Sequence, residues 1–428
     1  MSNTGHDEIV LGLDIGTTKV CAIVGRITEH EKVEVLGVSK TDSRGVMRGM
    51  VANIRHTVEA IEKVTREVLE KTKVSDRRVY VGIAGQHIRS MQHRGILMRE
   101  DSEQEISNED VDKLTQDMYK LAMPPGDRII HVLPQEFIVD NEQGIKDPVG
   151  MVGRRLEANF HIITGQITAA QNIIRCVERA GFEVADLILE PLASAAAVLS
   201  EEEKEAGVAL VDIGGGTTDI AIFQDGIIRH TAVIPFAGNV ITEDIREGCL
   251  IMREQAEMLK IQHGSAYAGI AQENAVISVP GLRGRPAKEI SMRNLAKIIQ
   301  ARMEEIIEMV YSEIRVSGYE NRLIGGIVLT GGGAQLRHLV QLVEYVTGKN
   351  ARIGYPNEHI ANGNDEEIKN PMYSTGIGLI ILGHKERQNK SKVVPVDKEE
   401  DASTRKIWWK DWLDKGKRIL TTEIDNDF

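Results

Sequence analysis

Ile9-Val-Leu-Gly-Leu-Asp14-Ile-Gly16-Thr17-Thr18-Lys19-Val-Cys-Ala-Ile-Val24 is an apolar, β-rich run that ends in aspartate, turns through glycine and two threonines, and resumes as a second apolar run. That pattern predicts a strand, a tight turn and a return strand. It recurs in Val208-Ala-Leu-Val-Asp212-Ile-Gly214-Gly215-Gly216-Thr217-Thr218-Asp-Ile-Ala-Ile-Phe223, with two more glycines in the turn. Two such units far apart in one chain predict two related α/β halves facing each other. Both turns offer backbone N–H groups and threonine hydroxyls at a strand end, where phosphate oxygens can be held. Glycine suits this role because a Cβ would keep the backbone from approaching a phosphate. Asp14 and Asp212 follow buried apolar runs, where a carboxylate is costly without a cation; a hydrated Mg²⁺ between the two turns answers that need. A third turn, Thr330-Gly331-Gly332-Gly333, leads from a strand towards a helix start, an arrangement suited to the α-phosphate and the nucleoside end. Taken singly, each turn is ordinary hairpin chemistry. The three together, in this order, point to a phosphate ligand.

The periodicity between these turns predicts helices over Val51–Lys71, Thr168–Ala180, Pro191–Leu199, Thr242–Gln262, Ala287–Val316 and Ala334–Val346. An acidic segment, 101–123, reads as largely helical, Ile129–Ile163 as strands with turns, Gly281–Pro286 as a loop and Leu323–Leu329 as a strand. About Gly85 to Gly165 forms a small α+β insertion in the first half. Residues 384–404 are polar and aperiodic, as in a flexible linker.

The chain has 428 residues, 42% of them hydrophobic and 27% charged, enough for more than one domain with a buried core. Its net charge of -12 argues against nucleic acid as a partner. Cys21, Cys176 and Cys249 are widely separated, so neither a disulfide framework nor a zinc site is expected. The polar first residues do not read as a signal peptide, and no apolar run is long enough to span a bilayer, so a cytoplasmic protein is expected.

The C-terminal region departs from this acidic balance. Arg405 to Leu420 carries six basic and two acidic residues. On a helix, Trp408, Trp409, Trp412, Leu413, Ile419 and Leu420 fall within an arc of roughly 140°, with Lys410 and Lys417 among the charges on the rest. All three tryptophans of the chain lie on that face. Tryptophan on an apolar face flanked by lysine and arginine suits a helix lying in the interface of an anionic bilayer. The alternative is packing on the protein itself or on a partner. The acidic tail 421–428 opposes anionic lipid.

Asp14-Ile-Gly-Thr-Thr, Asp212-Ile-Gly-Gly-Gly-Thr-Thr-Asp and Leu329-Thr-Gly-Gly-Gly-Ala resemble the phosphate 1, phosphate 2 and adenosine motifs of the actin/Hsp70/sugar-kinase superfamily. The resemblance implies an actin-like ATPase fold, two RNase H-like halves around a cleft that binds ATP with Mg²⁺. Glu190, in Leu189-Glu-Pro-Leu-Ala-Ser, matches the residue that orients the attacking water in bacterial relatives; it reads equally well as a helix-start carboxylate before Pro191. Glu257 and Lys260 match an adenosine-contacting pair. Gly238-Asn239 stands where two glycines are usual. Lys19 reads either as a phosphate contact or, by preference, as alternating outward on its return strand.

Val79-Tyr-Val-Gly-Ile-Ala-Gly-Gln-His-Ile88, Val132-Leu-Pro-Gln-Glu-Phe-Ile-Val-Asp140, the stretch Gly144–Ala158 and His161-Ile-Ile-Thr-Gly165 resemble the inserted subdomain of the FtsA family of bacterial division proteins. The family scheme implies subdomain 1A over 8–84 and 166–206, subdomain 1C over 85–165, subdomain 2A over 207–235 and subdomain 2B over 236–302. It continues with a 2A/1A return over 303–383, the linker 384–404, a membrane-targeting amphipathic helix 405–420 and the tail. It also implies self-association into filaments, binding of the C-terminal peptide of tubulin-like FtsZ by subdomain 2B, and docking of later division proteins on the insertion. Arg293 and Arg302 are the candidate FtsZ contacts. Peripheral attachment to the cytoplasmic face of the membrane at the division site follows, with nucleotide as a switch and turnover slow at most. The alternatives are a PilM-like pilus-assembly protein and a catalytic ATPase of the Hsp70 or sugar-kinase type.

Overall fold

The computed structural model describes residues 9–100, 103–270, 274–281, 286–361 and 366–392. Two compact units divide the chain after His384; of the second, only 385–392 are among the described residues. The Trp408 helix, Thr421–Phe428 and most of the expected linker therefore lie outside them.

In the first half, strands β1 (Ile9–Ile15), β2 (Lys19–Ile27) and β3 (Val33–Asp42) form an antiparallel meander. A two-residue-armed hairpin, β4 (Val46–Met47) and β5 (Met50–Val51), leads to helix α1 (Ile54–Thr72) and strand β6 (Arg78–Ile83). Asn53 caps α1 by accepting from the His56 N–H, and Ala60, Ile61, Val64 and Val68 form its buried stripe. The insertion follows: β7 (Arg89–Met98), α2 (Asn108–Met118), β8 (Asp127–Val139), β9 (Glu142–Ile145) and β10 (Arg155–Gln166). Ser107 and Asp110 cap α2 reciprocally, which starts it within the acidic segment. The half closes with α3 (Ile167–Arg179), β11 (Glu183–Leu189) and α4 (Glu190–Val198).

The second half contains α5 (Glu201–Ala206), β12 (Val208–Ile213), β13 (Thr218–Gln224), β14 (Ile227–Ile234), α6 (Gly238–Cys249) and α7 (Arg253–His263). It continues through β15 (Val276–Val279), β16 (Lys288–Ser291), α8 (Met292–Val316), β17 (Ile327–Thr330), α9 (Leu339–Thr347), β18 (Ala351–Ile353) and α10 (Ser374–Lys392).

The two five-stranded sheets have one grammar. Their orders are β3-β2-β1-β6-β11 and β14-β13-β12-β17-β18, each with an antiparallel meander followed by two parallel strands. The repeat read from the two glycine turns thus extends to whole halves. The insertion forms a separate four-stranded antiparallel sheet, β7-β10-β8-β9, with α2 on one face. One apolar cluster joins the halves: Ile23 and Tyr80 from the first, Leu210 and Val328 from the second, with α4 and α10 between. A Cβ on Gly378 of α10 would stand 1.7 Å from the Ala193 carbonyl of α4, so only glycine lets these helices cross this closely. Each fully buried Leu or Ile here contributes about 1.5–3 kcal/mol.

Four expectations need correction. The helix expected over Thr242–Gln262 is two, α6 and α7, because Leu250 adopts a left-handed conformation at the end of α6. The helix expected from Ala287 begins at Met292, after β16 and the N-cap Ser291. That expected over Ala334–Val346 starts at Leu339, preceded by a 3₁₀ turn, Gly332–Gln335, and left-handed His338. The linker expected from residue 384 is helical as far as Lys392. Lys, Glu, Arg and Gln are good helix formers, and extending an existing helix avoids the cost of nucleation.

Candidate functional site

The two phosphate-type turns face each other between the halves. Within each, the first glycine closes the turn: Gly16 N–H donates to the Lys19 carbonyl at 2.9 Å and Gly214 N–H to the Thr217 carbonyl at 3.0 Å. Across the gap, a Cβ on Gly215 would stand 2.3 Å from Thr18 Cγ2, and one on Gly216 2.5 Å from Thr17 Oγ1. These glycines let the hairpins approach.

Four carboxylates gather behind the turns. Asp14 is buried and accepts from Lys19 Nζ at 2.5 Å. Lys19 therefore points into the site, contrary to the outward alternation expected of it. Burial opposes its charge, but the Asp14 carboxylate outweighs this and raises the ammonium pKa. Asp212 is buried, with its Oδ2 accepting from Ser194 Oγ at 2.6 Å; burial raises its pKa. Asp219 accepts from Thr217 Oγ1 at 2.9 Å, and its Oδ1 is buried without a partner. Burial first, and then Asp212, pushes it up to about 8. Glu190 opens α4 directly before Pro191, at the helix start the sequence suggested. Burial, followed by repulsion from Asp14, Asp219 and Asp212, raises its pKa well above the usual range. A Cβ on Gly82 would lie 3.0 Å from Glu190 Cγ, so glycine at this strand end makes room for the side chain.

Asp14, Glu190 and Asp212 act on one ammonium, and Asp219, with its orphaned oxygen, stands beside Asp212; this acidic excess fits a cation. Among the described residues no three acidic, histidine or cysteine side chains form a metal-binding group by themselves. Mg²⁺ suits such a place, because it keeps several waters and takes one or two carboxylates together with phosphate oxygens.

Other expected ligand groups are placed differently. The Thr218 hydroxyl donates to the Phe236 carbonyl at 2.8 Å and Thr217 to Asp219, so both work inside the second half rather than facing the gap. The Gly238 and Asn239 N–H groups donate to the Gly214 and Gly215 carbonyls at 3.1 and 2.8 Å, bracing the phosphate 2 turn. Lys260 Nζ pairs with Glu257 at 2.8 Å and donates to the Gly238 carbonyl and Thr242 Oγ1, each at 2.8 Å. This pair thereby ties α7 to the start of α6. Gly331 packs on Asp212, and Gly332 has open space where a Cβ would stand. Ser194 and Thr375, both buried beside Asp212, and Asp219 were missed as site residues. Only Asp219 carried a signal, as the last residue of the quoted motif.

Of the two partner candidates, Arg302 is engaged within the chain: it pairs with Asp244 at 2.6 and 3.1 Å and also meets Glu305, fixing α8 to α6. Arg293 lines a depression of about 370 Å³ with Lys297, Gln300 and Glu304.

The family model described as "Cell division protein FtsA" matches residues 209–378, and the model "SHS2 domain inserted in FTSA" matches 85–164. The cell division protein FtsA of Pseudomonas aeruginosa is 42% identical over 383 residues, covering 90% of this chain and 91% of its own. The chain belongs to the FtsA family. Family members in Borreliella burgdorferi and Bacillus subtilis are both 38% identical, covering 95% and 88% of this chain and 99% and 83% of their own. Among solved structures, the PilM–PilN type IV pilus biogenesis complex matches with a TM-score of 0.64 at 15% identity, covering 88% of this chain and 98% of that one. MreB5 of Spiroplasma citri bound to ADP matches at 0.54 and 15%, covering 90% and 99%. At this identity the likeness is one of fold: an FtsA-family chain with an actin-like ATPase fold and an SHS2 insertion. The PilM likeness stops at the fold, whereas the division-protein relationship runs through the sequence.

Proposed function

We propose that this chain binds ATP with Mg²⁺ between its halves and uses the nucleotide as a switch for self-association. In that form it holds the FtsZ ring to the cytoplasmic face of the membrane through residues 405–420. The supporting observation is the facing pair of glycine hairpins backed by Asp14, Asp212, Asp219 and Glu190. The bound nucleotides of the MreB5 structures, ADP in one and AMPPNP in another, support a nucleotide for this fold.

Residues Thr17, Thr18, Gly215 and Gly216 would receive the phosphates, with Gly331, Gly332 and Gly333 at the α-phosphate and adenosine end. Asp14 and Asp212 would hold the hydrated cation, whose charge would oppose the burial and repulsion that raise the pKa values of Glu190 and Asp219. Glu190, once ionised, orients a water for slow hydrolysis. The Trp408, Trp409 and Trp412 face binds lipid weakly and reversibly in one copy; many copies in a filament bind together, since later contacts become intramolecular. Subdomain 2B meets the FtsZ tail near Arg293, while Arg302 serves the α8–α6 join.

Liposome co-sedimentation on anionic lipid, comparing the full chain with one ending at Ala402, tests the anchor. The full chain is expected to pellet, more with ATP-Mg²⁺, and the shorter one to stay in solution. Equal behaviour of the two would remove the membrane role from residues 405–420.

A further inference from the structure

Strand β11 is an edge of the first half's sheet and β14 an edge of the second's. Edge strands display N–H and C=O groups that proteins usually cover. Here one inserted sheet reaches the end of the first and lies along the second. On the first edge, His131 Nε2 of β8 accepts the Leu189 N–H at 3.1 Å. On the second, three β14 carbonyls are taken by side chains. Gln135 Nε2 donates to Ile228 O at 2.6 Å, Gln92 Nε2 to Arg229 O at 3.2 Å, and Ser90 Oγ to Thr231 O at 3.0 Å. His161 completes the row: Nδ1 accepts from Gln92 at 3.2 Å, which leaves Nε2–H to donate to Thr231 Oγ1 at 3.0 Å. Arg229 meets Glu136 at 2.8 Å beside them.

The local structure of β8 makes this double grip possible. His131 and Leu133 share one face of the strand, and Leu133 packs against the first half's apolar cluster and the one that joins the halves. A bulge follows: Phe160 and Asn159 of β10 face Pro134 and Glu136, so Gln135 has no register partner and is re-aimed. The grip on each edge is polar, made of directional contacts that hold a geometry rather than merely fill space.

Leu189 is the residue before Glu190 and the N-cap of α4, and its side chain makes no cap. We propose that His131 is a positioning residue for Glu190: it fixes the Leu189 N–H at the mouth of α4, while Gln135, Gln92 and Ser90 hold the same sheet to the half that carries Asp212 and Asp219. The inserted subdomain is then a clasp across the nucleotide cleft, and load on it is felt at Glu190. Burial lowers the His131 pKa to about 4, which keeps the ring neutral and its Nε2 able to accept. This inference rests on Glu190 acting in hydrolysis, as proposed above.

The test uses the full chain with three substitutions. His131→Leu removes the acceptor at similar volume, and His131→Gln restores a polar oxygen near the place of Nε2. Glu190→Gln is the control. Hydrogen exchange of the Leu189 amide, steady-state ATP turnover and thermal melting are measured on each. In His131→Leu, exchange at Leu189 is expected to rise about tenfold, and kcat to fall about tenfold with KM unchanged. His131→Gln is expected to recover both. Native exchange and native kcat in a folded His131→Leu would overturn the proposal, and so would failure of a folded His131→Gln to recover either, since histidine would then be needed only for packing. If His131→Leu does not fold, Ser90→Ala with Gln92→Ala opens the second grip instead; a lowered kcat at native KM supports the clasp and a native kcat refutes it. If Glu190→Gln turns over like the native protein, the Glu190 reading fails by itself, and the Leu189 exchange rates still decide whether His131 holds that amide.

Discussion

Gly331, Gly332 and Gly333 look interchangeable in sequence and are not in space. Gly331 has φ of +84°, and a Cβ there would lie 2.2 Å from Asp212 Oδ1 and 2.7 Å from the Ile213 carbonyl. Gly331→Ala is expected to destabilise the fold by about 2–4 kcal/mol, from left-handed strain plus overpacking. Gly332, with open space around the same position, should accept alanine within about 0.5 kcal/mol. Urea unfolding of the two variants reads the contrast; equal losses would contradict it. The quoted motif named Asp14 and Asp212 because an acid after an apolar strand is a local anomaly. It could not name Lys19 as inward-facing. Alternation along a strand says which side a residue takes, not that a buried carboxylate waits there. Ser194 and Thr375 left no trace for the same reason, since each becomes a site residue only through its hydrogen bond with Asp212.

Helices at the scale of whole elements were legible where the apolar stripe was unbroken and a cap was present, as in α1 with Asn53. They were misjudged where one residue turns the chain against its propensity. Leu250 is such a residue: left-handed at φ 48°, and 80% exposed, so its side chain contributes little burial. Leu250→Gly is expected to stabilise the fold by about 0.5–1 kcal/mol, because glycine enters this C-terminal position without the Cβ penalty. Chemical denaturation checks it, and a loss of stability would show that Leu250 makes contacts worth more than its strain. Strand β16 illustrates a second kind of error. Lys288–Ser291 continues the amphipathic pattern of α8, and only its pairing with β15 makes it a strand.

Across the whole molecule, His131 and His161 add a pH dependence centred on the insertion. Burial lowers both to about 4 from an ordinary value of 6.5, with His230 adding to the effect on His161. A folded pKa below the unfolded one means the unfolded chain takes up protons first. The stability these neutral rings contribute is complete above pH 6.5 and is lost as pH falls through about 4. The raised values of Asp219, Asp212 and Glu190 act in the opposite sense as pH falls, so the expectation is comparative: between pH 6.5 and 4 the melting temperature of the native protein changes less favourably than that of His131→Gln. An unchanged slope in that variant would remove His131 from the account.

The sequence by itself determined the two glycine hairpins, the third turn, the doubled α/β architecture and the insertion. Each of these is a local pattern, set by backbone approach, by strand or helix period, or by the cost of a buried charge. Tertiary structure decided the rest: that Lys19 turns inward to Asp14, that Thr217 and Thr218 brace the second half, that Arg302 is held by Asp244, and that the insertion bonds to the end of β11 and along β14. Some of these contacts are short in sequence, as Lys19–Asp14 and Thr217–Asp219 are, but the way each side chain turns is set by what is buried around it. Others, such as Arg302–Asp244 and those of the insertion, join distant residues, and no period or spacing in the sequence announces either kind.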